Sequence, residues 1–115
     1  MPKEMKNMFG IVLKMVHDSF RAFSSKDVEK AIEIWKTDKE VDELERNVRD
    51  FVTQNICKGM PPQLASIYIL VARDLERIGD HATNLCEEIV FIETGKELTD
   101  LLEVGEVGTD LDSRR

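Results

Sequence analysis

The sequence predicts an all-α fold, an up-down-up three-helix bundle, and three observations lead to it. Apolar residues recur at spacings of three and four over three long stretches. Short segments rich in Ser, Gly and Pro separate those stretches. Only three prolines and six glycines occur in 115 residues, so long uninterrupted helices are possible. A hydrophobic share of 42% and a charged share of 34% suit one domain of amphipathic helices with a modest core.

The first helix is expected from Pro2 or Lys3 to Phe23, with Met5, Phe9, Val12, Val16, Phe20 and Phe23 as its stripe and Met8, Ile11, Leu13 and Met15 widening it. Ser24, followed three residues on by Asp27, reads as a capping box that opens the second helix. That helix runs to about Ile56, where Gly59, Pro61 and Pro62 stop it. Its apolar pattern has two parts. Ile34, Val41, Leu44, Val48, Phe51 and Val52 form one stripe, while Val28, Ile32 and Trp35 fall on another face. Either the helix bends near Thr37 or its N-terminal end meets a second surface; the second reading makes Val28, Ile32 and Trp35 interface candidates. The third helix starts at Pro62, a residue suited to the first helical position, and ends at Thr94-Gly95. Leu64, Ile67, Tyr68, Val71, Leu75, Ile78, Ala82, Leu85, Ile89 and Ile92 mark its expected buried face. Residues 1–97 make the domain, and 98–115 read as a mobile acidic tail without sustained periodicity.

A net charge of −7 sets nucleic acid and anionic membrane aside as ligands, because phosphate would repel it. The longest apolar run, Leu64 to Ala72, is too short to span a bilayer. Cys57 and Cys86 form no CxxC pair, and the polar start has no signal-peptide pattern, so reduced thiols in a cytoplasmic protein are expected. No phosphate-binding glycine loop, HExxH or nucleophile motif occurs, and the chain is not expected to be an enzyme.

Two acid-x-x-x-acid pairs carry the chemistry. Asp38 and Asp42 lie in TDKEVDELE, and Glu76 and Asp80 lie in DLERIGDHATN. Residues four apart share a helix face, with Cβ atoms about 5–6 Å apart, and like charges there repel. On a helical wheel both pairs flank their core stripes, so antiparallel neighbours could point them into one groove. Four carboxylates there would form an oxygen-rich site for a hard cation. Glu45, Arg73 and Asn84 lie near the pairs as supporting residues, and Gly79 sits beside them in mid-helix. With 23 acidic residues in the chain, the plain alternative is a solvated acidic face.

The segment ARDLERIGDHATNLCEEIVFIETGKE, Ala72 to Glu97, resembles the most characteristic stretch of the PhoU family of phosphate-transport regulators, and Thr37 to Glu45 resembles its second-helix motif. The chain is most like one repeat, the C-terminal half. The resemblance implies tandem three-helix bundles whose acidic motifs hold metal clusters, making Asp38, Asp42, Glu76 and Asp80 ligand candidates for iron, zinc or manganese. It also implies a regulator of phosphate uptake and signalling that contacts a phosphate ABC transporter's cytoplasmic component and a sensor histidine kinase. A single repeat could restore the six-helix arrangement as a homodimer. Metal storage or sensing, and a helical scaffold without metal, are the competing expectations.

Overall fold

A computed structural model describes residues 1–105, and those residues form five helices: α1 (Lys3–Ser25), α2 (Val28–Lys36), α3 (Asp38–Ile56), α4 (Pro62–Thr94) and α5 (Leu98–Gly105). The molecule is 53 × 30 × 16 Å. The long dimension is close to the length of the 33-residue α4, which rises about 50 Å at 1.5 Å per residue. The expected three-helix bundle is present, with its middle member broken into α2 and α3. Helix α4 packs against α1, α2 and α3 and is the spine of the core.

The connections are short because backbone geometry closes each helix quickly. The end of α1 is a Schellman motif, in which the Lys26 N–H donates to Phe23 O and the Asp27 N–H to Ala22 O. Lys26 therefore holds a left-handed φ of 58°, a conformation more easily taken by glycine. The cap of α2 is Asp27, whose carboxylate accepts from the Lys30 N–H at 3.0 Å. Ser24 and Ser25 stay within α1, so the capping box expected at Ser24 gives way to a simple aspartate cap. Gly59 at φ 101° turns the chain after α3, and Pro61-Pro62 opens α4. Gly95 at φ 74° closes α4, its N–H donating to Phe91 O.

The two-part pattern of the second stretch resolves as a break at Thr37. The Thr37 hydroxyl donates to Glu33 O at 3.1 Å, and such back-bonding bends helices. Around it the ladder tightens, with the Thr37 N–H donating to Ile34 O and the Glu40 N–H to Thr37 O. The break turns α2 inward. Trp35 is buried in this chain's own core, and its Nε1–H donates to Glu87 Oε2 on α4 at 2.8 Å. Val28 and Ile32 are half-buried against the same core. The assignment of Val28, Ile32 and Trp35 to an intermolecular interface is therefore corrected: the surface they meet belongs to their own chain.

The core also departs from the expected stripes. Met5, Met8, Val12, Met15, Ser19 and Ala22 are the buried line of α1, while Leu13, Phe20 and Phe23 are exposed. On α4 the buried line is drawn from small residues, Ala65, Ala72, Gly79, Ala82, Thr83 and Cys86, with Leu75, Ile89 and Val90. Leu64, Ile67, Ile78 and Ile92 are exposed. Small side chains let the helices approach closely, and flexible methionines fill the remaining space. The larger apolar residues are displaced to the flanks.

The tail expected from residue 98 is corrected in part. Leu98–Gly105 is helical, and Leu98 is only 1% exposed, with Leu101 and Leu102 packed on the core behind it. The rest of that segment, 106–115, lies outside the described residues.

Candidate functional site

The antiparallel packing of α3 on α4 sets the register of the acidic pairs. A Cβ added at Gly79 would meet Val41 Cγ1 at 3.7 Å and Met15 Sδ at 4.0 Å, so Gly79 faces the core at the point where α1, α3 and α4 meet. Asp42 follows Val41, and Asp80 follows Gly79. Asp42 and Asp80 thus leave the core on its flank, at the seam between the two helices.

Glu76 is the centre of this seam. Burial, the Glu45 charge, a side-chain hydrogen bond with Asp42, and the charges of Asp42 and Asp80 together raise its pKa to about 7. Glu76 therefore tends to hold its proton near neutral pH. Asp42, Glu45 and Glu76 are half-buried, whereas Asp80 is exposed. The structure therefore brings Asp42, Glu76 and Asp80 into one electrostatic group and adds Glu45, expected only in a supporting role. Arg49 offsets part of this charge by pairing with Glu45 at 3.9 Å.

Asp38 is placed differently. It is the first residue of α3, at the break, and is buried at 6% exposure with Oδ1 sequestered from solvent. A carboxylate there lies at the positive end of the α3 dipole. Arg73 and Asn84 lie exposed on α4. Among the described residues, no group of three or more His, Cys, Asp or Glu side chains is arranged to hold a metal ion. The donor set of Asp42, Glu45, Glu76 and Asp80 is all carboxylate, which fits a hard cation by chemistry.

The sequence left two features of the site unassigned. Arg49 lies one helical turn after Glu45, a spacing that favours their pairing. Glu87 stands 52 positions from Trp35, so nothing local in the sequence marks their hydrogen bond. The buried Cys86 thiol, pushed up to about 12 by burial and the neighbouring Glu87 charge, is held protonated and unreactive. Both cysteines are free, with Cys57 exposed.

The chain is thus an all-α bundle with an acidic seam between two antiparallel helices. Residues 5–89 match the family model for the PhoU domain, and the chain belongs to that family. A phosphate-specific transport system accessory protein from Thermotoga maritima, PhoU homolog 1, is 50% identical over 111 residues, covering 96% of this chain and 48% of that protein. The corresponding PhoU homolog of Caulobacter vibrioides is 36% identical over 98 residues, covering 84% and 43%. PhoU of Escherichia coli K12 is 36% identical over 88 residues, covering 74% and 36%. The chain thus spans half or less of the length of these relatives. No solved structure matches it. Among the described residues, no helix is long and apolar enough to cross a membrane.

Proposed function

We propose that this chain is a regulatory adaptor of phosphate uptake and signalling, and that its acidic seam takes metal ions. It would act in the cytoplasm on the cytoplasmic component of a phosphate transporter and on a sensor histidine kinase. The names of its relatives, accessory proteins of phosphate-specific transport, support the transport role. The observation that carries the metal reading is Glu76, held near neutral pKa among Glu45, Asp42 and Asp80. Four carboxylates on one seam repel one another, and a cation bound among them would remove that cost. Asp42, Glu45, Glu76 and Asp80 would supply the oxygen ligands, with Asp38 one turn away at the helix break. Iron, zinc and manganese are the candidate ions.

Elemental analysis of the purified chain beside its Asp42→Ala, Asp80→Ala double variant tests the metal, after loading with each ion and dialysis. At least one equivalent, lost in the variant, is expected; no metal in either would overturn the site. Pull-down by the transporter's cytoplasmic component, with and without metal, tests the adaptor role separately.

A further inference from the structure

The C-terminal end of α4 carries acidic groups that the seam does not use. From Glu87 to Asp100 there are five acidic side chains and one basic, Lys96. Glu87, Glu88, Phe91, Ile92 and Glu97 line a cavity of about 220 Å³ where α4 ends and the chain turns toward α5. Two of these residues are apolar and turned to solvent: Phe91 is 53% exposed and Ile92 65%. Among the described residues, no basic side chain lines the cavity.

Helical spacing explains the arrangement. Glu87 and Glu88 precede Phe91 by four and three residues, so the two carboxylates stand one turn before the ring, on either side of it. Ile92 lies one turn beyond Glu88. Gly95 ends the helix at φ 74°, and Glu97, just past that turn, completes the lining. Glu87 is held in place, because the indole of the buried Trp35 donates to its Oε2 at 2.8 Å.

This chemistry selects an occupant. An anion is repelled by the carboxylates, and a bare cation leaves Phe91 and Ile92 in water. An ammonium answers the charge, but it is compact and strongly hydrated. A guanidinium answers both features: it stacks on an aromatic face and pairs with carboxylates through a fixed fork of N–H donors. We propose that the end of α4 is a docking site for an arginine-bearing segment of a partner protein. One guanidinium lies on the Phe91 ring and pairs with Glu88 and Glu97, and its aliphatic stem covers Ile92. The site shares no residue with the acidic seam, and the inference does not rest on the metal or on the role in phosphate uptake.

A fluorescein-labelled hexa-arginine peptide, titrated with the full chain and read by anisotropy, tests the proposal. Saturable binding is expected, weakened by salt and several-fold weaker for hexalysine. Phe91→Leu should abolish the preference for arginine, and Glu88→Gln with Glu97→Gln should weaken binding about tenfold. Glu40→Gln with Glu43→Gln removes the same charge from exposed positions on α3 and should change the affinity by about two-fold or less. Glu88, Phe91 and Glu97 are exposed, so helicity by circular dichroism should be unchanged. Absence of binding, an arginine preference that survives Phe91→Leu, or an equal loss from both glutamine pairs would overturn the docking site.

Discussion

At the residue scale, Glu76 makes a prediction with a definite sign. Its pKa is raised from 4.5 to about 7 in the folded chain. Between those values the folded state keeps a proton that the unfolded state has lost. The contribution of Glu76 to stability is therefore greatest below about pH 4.5 and is lost as pH rises through 7. Glu76→Gln mimics the protonated form and should stabilise the metal-free chain at pH 8 by on the order of 1 kcal/mol, with little effect at pH 4.5, as read by thermal melts at both pH values. A variant that melts like the parent chain at pH 8 would show that the carboxylates do not couple. Gly79 makes the second prediction. Its position beside the acidic seam suggested room for a close neighbour, but it faces Val41 and Met15 at ordinary contact distance. Gly79→Ala should raise stability by up to about 1 kcal/mol through helix propensity alone and leave metal loading intact. A destabilised variant would mean that the meeting point of α1, α3 and α4 is tighter than these distances imply.

At the scale of the element, the helices were legible in the sequence and their faces were not. The outer bounds, Lys3, Ile56, Pro62 and Thr94, follow from glycine, proline and apolar spacing, signals that act within a few residues. Which flank of a helix turns inward depends on its partners. In α1 and α4 both the core line and the displaced line have helical periodicity, so spacing favours the larger residues while close packing selects the smaller ones. The acidic pairs were legible for the same local reason, because four-residue spacing fixes a shared face. The burial of Asp38 was not, since it stands at the first position of α3, beside the break at Thr37. Helix α5 was missed because its apolar residues make contact only once α4 has turned at Gly95. Leu98, buried at 1% exposure, anchors it. Leu98→Ala should cost about 2–3 kcal/mol in chemical denaturation, where a disordered tail residue would cost nothing measurable.

At the scale of the whole molecule, one 33-residue helix organises everything. One flank of α4 carries the acid groups that meet α3, and another carries the apolar row that continues onto α1. Glu76 and Ile78, two residues apart, serve these different surfaces. A metal ion bound at the seam would draw α3 and α4 together on one flank of α4, away from the exposed apolar residues of the other. The two flanks use separate side chains, so the Asp42→Ala, Asp80→Ala variant should lose metal while Phe20→Glu with Ile78→Glu keeps it, as read by elemental analysis.

The break at Thr37 leaves α2 as a nine-residue segment of its own, and the tryptophan it holds is the only one in the chain. The indole fluorescence of this protein is thus an optical signal of a single event, the seating of α2 on α4 through Trp35 and Glu87. If α2 lifts before the rest of the bundle opens, emission will shift red at a lower denaturant concentration than the loss of ellipticity. Coincident transitions would instead make the broken helix one cooperative unit with its neighbours.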